Sequence, residues 1–147
     1  MTKAIYLDMD GTFVNFYAVN GWLEMLEASD PTPYKIAEPM VSMASLARLL
    51  TALQKRGYHI GIVSWLSKSG TPAFNMATML TKLAWLKAHL PSVEFDEIKI
   101  VNYGTPKSEV VEFPMGMLFD DESRNRYEWK GEAHDPEFLI DMLRDLL

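Results

Sequence analysis

The chain has no cysteine. Disulfide staples and thiolate metal sites are therefore excluded, and cysteine usage leaves the redox compartment open. Histidine is also scarce: His59, His89 and His134 show no ligand spacing, so no chemistry is expected of them. No apolar run approaches the roughly 20 residues needed to span a bilayer, and acidic residues appear within a few positions of the N-terminus, so a cytoplasmic protein is expected. Positive charge is in deficit, with 14 Lys and Arg against 20 Asp and Glu, a net charge of −6 and a pI near 5.0. That balance argues against general nucleic-acid or anionic-membrane binding and favours a small or locally recognised partner. Neither an internal repeat nor a low-complexity tract is present.

What the chain does have is apolar content. At 147 residues and 48% hydrophobic it has the size of one domain, 1–147, able to bury a substantial core. Four short apolar runs stand out, Ala4 to Leu7, Ile60 to Val63, Ile98 to Val101 and Met115 to Phe119, each bounded by polar or turn residues. Between them lie helical patterns. Ser42 to Lys55 places Met43, Leu46, Leu49, Leu50 and Leu53 at helical spacing, with Arg56-Gly57 as the stop. Pro72 to Leu90 does the same with Met76, Met79, Leu80, Leu83, Leu86 and Leu90, closed by Pro91, and its methionines read as core fillers. Pro136 to Leu147 is a last helix, entered through Asp135 as a cap. Alternating strands and helices predict an α/β fold, a doubly wound, mainly parallel sheet with right-handed crossovers. The segment 15–40 differs: Phe16, Tyr17, Trp22 and Tyr34 sit among prolines and small residues, which predicts a short helix around Gly21 to Ala28 plus a loop, inserted over the sheet.

The polar residues at the strand ends carry the chemistry. The first run stops at Asp8-Met9-Asp10-Gly11-Thr12, the second at Ser64, and the fourth at Asp120-Asp121; Lys107 follows the third after a short loop. In a parallel sheet the carboxyl ends of all strands share one edge, where ligands bind, so these residues can converge. A carboxylate at the end of a buried strand costs several kcal/mol unless a partner offsets it. Three or more carboxylates around one site call for a hard divalent cation such as Mg²⁺, and a hydroxyl with an ammonium could then hold phosphate oxygens. Lys99 is the other lysine near the third run, but it lies inside the strand and would point away from its end.

These four motifs, in this order, resemble those of the haloacid dehalogenase (HAD) superfamily of phosphotransferases, over about Ala4 to Asp121. Leu118-Phe119-Asp120-Asp121 followed by Asn125, Trp129 and Gly131 is similar to the 5′(3′)-deoxyribonucleotidase and polynucleotide 3′-phosphatase branches. The resemblance implies an HAD-type Rossmann-like core in which segment 15–40 is a minimal cap. It implies a Mg²⁺-dependent phosphomonoester hydrolase with Asp8 as nucleophile, through an aspartyl-phosphate, and Asp10 as acid and base. Mg²⁺ would be held by the Asp8 carboxylate, the Asp10 main-chain carbonyl and Asp120, with Asp121 acting through water or by positioning. Ser64 and Lys107 would contact phosphoryl oxygens, and Gly11 and Thr12 would form a tight turn with inward-pointing amides.

The aromatics Phe16 and Trp22, together with Trp65 and Arg124, are candidate substrate contacts, although core packing or a solvated face is the commoner use of such residues. So short a cap should leave the site open. The phosphorylated substrate would then be a small molecule covered by another subunit in a homo-oligomer, or a large polynucleotide or protein. Two rivals stand beside the hydrolase: a catalytically silent phosphate- and metal-binding module of the same fold, and a receiver-type signalling domain. In receivers the adjacent acidic pair follows the first strand, whereas here it follows the fourth.

Overall fold

The computed structural model describes residues 3–147. Its centre is a five-stranded, all-parallel sheet in the order β3-β2-β1-β4-β5. The strands are β1 (Ala4–Leu7), β2 (His59–Trp65), β3 (Glu97–Val101), β4 (Met117–Phe119) and β5 (Ala133–His134). β1 is wholly buried and hydrogen-bonded on both sides, Leu7 pairing with Ile62 of β2 and Phe119 of β4. A strand buried on both faces reads as a continuous apolar run, which is why its end is visible in the sequence.

Successive strand residues point to opposite faces, and the core divides accordingly. Ile5, Leu7, Ile60, Ile62 and Phe119 join the larger cluster with residues of α3 (Met43–Lys55), α4 (Pro72–His89) and α6 (Leu139–Asp145). On the opposite face Ala4, Tyr6, Val63 and Leu118 pack against Trp129 and the segment around Val110 to Phe113. There the Tyr6 hydroxyl donates to Glu97 Oε1 at 2.7 Å and accepts from the Phe113 amide at 3.0 Å, while His59 Nε2 lies 2.9 Å from the same Glu97 oxygen. His59, from which no chemistry is expected, thus belongs to a buried network that ties β1, β2 and β3 to the β3–β4 connection.

The helix borders follow local chemistry. The Ser42 side chain caps α3 by accepting from the Ser45 amide, and Thr71 caps α4 by accepting from the Phe74 amide, with Pro72 in the first turn. In α4, however, the buried stripe runs through Phe74, Thr78, Lys82, Trp85 and Leu86. Met76 and Leu80, expected inside, are 54% and 57% exposed. The C-terminal helix is shorter than expected, because Pro136–Phe138 form a 3₁₀ turn, capped by Asp135, before α6 begins. Segment 15–40 holds a 3₁₀ turn at Phe16–Ala18, then α1 (Trp22–Glu27) and a second helix, α2 (Thr32–Ile36), in place of the expected loop. α5 (Ser123–Glu128) and β5 are further additions to the expected elements; both are too short to show a period.

Candidate active site

The site is built at the carboxyl edge of the three central strands. The Asp8 amide donates to the Phe119 carbonyl at 3.0 Å, continuing the β1–β4 ladder one residue beyond the strand. This sets Asp8 beside Asp120. The 3₁₀ turn Lys107–Glu109 delivers Lys107 between them, and its Nζ lies 3.0 Å from Asp8 Oδ1 and 2.6 Å from Asp120 Oδ2. Asp120 is fully buried and held further by the Glu122 amide (3.0 Å) and by Asn125 Nδ2 (3.1 Å). Lys99 stays exposed on the edge strand, so Lys107 is the lysine at the acids.

Burial works against the charge of Lys107, but the carboxylates of Asp8 and Asp120 outweigh it and hold its pKa above the ordinary value. One ammonium among three acids leaves negative charge uncompensated. Burial, followed by the charge of Asp8, pushes Asp120 up to about 6 and Asp121 up to about 8. Carboxylate oxygens of Asp8, Asp120 and Asp121 lie within 4.8 Å of one another, and Asp121 Oδ1 is buried without a hydrogen-bond partner. An orphaned buried acceptor within an all-oxygen acidic cluster fits a hard cation such as Mg²⁺.

Asp10 is held separately, and by a residue that sequence reasoning misses. Lys82, 1% exposed on α4, directs Nζ to Asp10 Oδ2 (2.9 Å), Ser64 Oγ (2.8 Å) and the Trp65 carbonyl (2.8 Å). Its three donors meet three acceptors, with the Tyr34 ring 4.9 Å away. Burial, then the charge of Asp8, raises the pKa of Asp10, and Lys82 opposes the rise. The signal for Lys82 is present as a cation at the i+4 position from Thr78 and the i+8 position from Phe74. The adjacent, more apolar stripe masks it.

Two expected phosphate contacts are corrected. The Gly11 amide donates to the Val14 carbonyl at 2.8 Å and the Thr12 amide to the Met9 carbonyl at 3.0 Å, so both are spent inside the turn. Gly11 serves otherwise. At φ +80° it adopts a backbone that favours glycine, and a Cβ there would lie 2.2 Å from Asp121 Oδ2. The glycine makes room for the acid. Ser64 lies within β2 rather than after it, fully buried, with its hydroxyl accepting from Lys82 and its own proton left to donate.

Asp8, Asp10 and Lys107 open onto a cavity of about 550 Å³. One wall is the insert: Phe16 stacks on Tyr34 at 4.6 Å, and Tyr17 and Trp22 pack edge to face at 5.2 Å. Trp65 also lines the cavity; its indole N–H donates to the Thr105 carbonyl and its ring packs 4.9 Å from Tyr103. Arg124 lies 5.5 Å from the centre of the Trp65 ring, pairs with Glu128 and is not among the residues lining the cavity. The insert therefore gives the site a wall.

No protein-family model matches the chain, and no curated protein does. Among solved structures, the chain is similar to the D,D-heptose 1,7-bisphosphate phosphatase from Burkholderia thailandensis. That match has a TM-score of 0.57 and 15% identity over 99% of this chain and 98% of that one. It is also similar to the D,D-heptose 1,7-bisphosphate phosphatase from B. bronchiseptica, a structure complexed with magnesium and phosphate, with a TM-score of 0.55 and 11% identity over 99% of this chain and all of that one. No helix among the described residues is long and apolar enough to cross a membrane. At such identities the likeness is one of architecture, and the chain has the parallel, Rossmann-like α/β fold of these phosphatases.

Proposed function

We propose that the chain is a Mg²⁺-dependent phosphomonoester hydrolase of HAD type, acting on a phosphorylated small molecule. The observation that carries this reading is the arrangement of Asp8, Asp120 and Asp121 about one point, with Lys107 bonded to the first two. Asp8, the Asp10 main-chain carbonyl, Asp120 and Asp121 would hold Mg²⁺, which when bound neutralises charge shared by phosphate and carboxylates. Asp8 is the nucleophile: its carboxylate oxygen attacks phosphorus, the bond to the leaving oxygen breaks, and an aspartyl-phosphate forms. Asp10, raised by burial, holds the proton that the leaving oxygen takes. The same carboxylate then receives a proton from the water that hydrolyses the intermediate. Lys107 balances charge on Asp8 and the phosphoryl oxygens, and Ser64 acts through Lys82 and Asp10 rather than at the phosphate.

The cavity volume supports a small molecule over a polymer end or a protein phosphate, since pockets of roughly 300–1,000 Å³ suit ligands of that size. The test is phosphate release from a panel of phosphomonoesters with Mg²⁺ and with EDTA, for the wild type and Asp8→Asn. Mg²⁺-dependent turnover in the wild type that vanishes in Asp8→Asn is expected. Turnover surviving in the variant refutes the nucleophile assignment. A wild type that binds Mg²⁺ and phosphate but releases nothing would make the chain a silent binding module.

A further inference from the structure

Resting on that reading, we infer that the substrate is a monophosphate whose leaving group carries a flat aromatic ring, held against the aromatic side chains that line the cavity. Seven aromatic side chains line the cavity: Phe16, Tyr17, Trp22 and Tyr34 from the insert, Phe74 from α4, Trp65 from the end of β2 and Tyr103 after β3. Two of these rings are tied to the reacting groups. The Trp65 ring lies 5.6 Å from Lys107 Nζ, which is itself 3.0 Å from Asp8. The Tyr34 ring lies 4.9 Å from Lys82 Nζ, which is 2.9 Å from Asp10. A ring attached to the ester oxygen through a short linker therefore meets aromatic faces on leaving the phosphate site.

The walls are also rigid. Tyr34 is fastened by a 2.6 Å hydrogen bond between its hydroxyl and Ser67 Oγ, and Trp65 by its indole N–H on Thr105. Tyr34 and Trp65, nearly buried, thus fix the walls, and the rings left open to a ligand include Tyr17 and Tyr103, each almost half exposed; ordered aromatic rings bind flat groups at little cost in side-chain entropy. Away from the metal-facing acids, charge disfavours a second phosphate, the alternative suggested by the neighbours' names. Among the described residues lining the cavity, the cations are Lys68 and Lys107, against Asp8, Asp10, Glu27 and Glu122. Lys107 is already committed to Asp8 and Asp120. A second phosphate would bring close to two further negative charges into an acidic cavity with one spare lysine.

Two sources of such a ring, a nucleobase and a simple aryl group, are separated by matched esters. Adenosine 5′-monophosphate is compared with ribose 5-phosphate, which carries an anomeric hydroxyl in place of the base. 2-Phenylethyl phosphate is compared with 2-cyclohexylethyl phosphate, which loses only the flatness, and fructose 1,6-bisphosphate carries the second phosphate. For each, kcat/KM is measured with Mg²⁺, and Kd is measured by calorimetry on Asp8→Asn. In at least one pair the aromatic member is expected to be favoured by roughly tenfold to a hundredfold in both measurements, as base–aromatic stacking implies. Which pair shows it identifies the source. Tyr17→Leu/Trp22→Leu is expected to cut that ratio by at least about fivefold. Ratios near one in both pairs, or a preference for the bisphosphate, overturn the inference. If esters are hydrolysed without aromatic preference, the ring slot falls and the phosphatase reading stands. If aromatic esters bind preferentially to Asp8→Asn yet none is hydrolysed by the wild type, the slot stands and the phosphatase reading falls.

Discussion

Replacing Lys82 by methionine keeps much of the side chain's length and removes its charge. The ammonium is 2.9 Å from Asp10 Oδ2, a separation at which opposite unit charges attract by about 6 kcal/mol at an effective dielectric constant of about 20. Much of that attraction repays the desolvation of a lysine 1% exposed. Removing one member of a buried pair nonetheless costs about 3–5 kcal/mol, because the other is left uncompensated. Ser64 Oγ and the Trp65 carbonyl also lose a donor. The expected loss in Lys82→Met is therefore about 3–5 kcal/mol by urea denaturation at pH 8. It should be smaller at pH 5. Without Lys82 the Asp10 carboxyl rises further above its unfolded value, and an acid with a raised folded-state pKa withdraws stability as pH climbs through that pKa. In the double variant with Asp10→Asn the losses should fall short of additivity by about 1–3 kcal/mol. A loss below about 1 kcal/mol in Lys82→Met, or additivity within about 0.5 kcal/mol, would refute the account.

The other perturbations act at the metal-facing acids. Gly11→Ala forces a Cβ against Asp121 in a left-handed backbone, which costs about 1–2 kcal/mol for the conformation alone. A lowered thermal midpoint and weaker Mg²⁺ binding by calorimetry are expected together; a variant that lost stability but bound Mg²⁺ normally would separate the glycine from the acid. In EDTA, stability should decline as pH rises from about 4 through 8, because the folded-state pKa values of Asp120 (about 6) and Asp121 (about 8) are raised above their unfolded values. Urea midpoints at pH 5 and pH 8.5 check this. Saturating Mg²⁺ should flatten or reverse the slope, and an unchanged slope would count against a metal between these acids.

How much is legible in the sequence depends on whether a residue interrupts a pattern or hides within one. Asp8, Asp120 and Asp121 stop apolar runs, and charge at the end of a buried strand announces itself. Lys107 is found through its loop after the third strand. Lys82 is hidden because α4 carries two candidate stripes, and the more apolar one, through Met76 and Leu80, is the one left facing outward. Lys82 shares its inward face with Phe74, Trp85 and Leu86 of the hydrophobic core, so the buried stripe mixes a cation with apolar residues. For Gly11 the turn is foreseeable but its purpose is not, since a φ preference is visible in a sequence whereas the side chain seated against the Cα is not. β5 pairs through only two residues, Ala133 and His134, a length at which no periodicity exists.

The place of β1 at the centre of the sheet also bears on how the molecule breathes. Asp8 follows a strand laddered on both sides, and its own amide bonds to Phe119. Amides so enclosed exchange with solvent only in large, cooperative openings, whereas peripheral segments open by themselves at smaller cost. The insert shares that core only in part: Phe16, Tyr34 and Ala37 are buried in it, whereas Tyr17 and Leu23 stand about half exposed. The carboxylate that would carry phosphate thus follows a strand whose amides are expected to exchange among the slowest in the protein. The outer residues of the insert are expected to exchange faster than Tyr34, which its hydrogen bond to Ser67 holds in place.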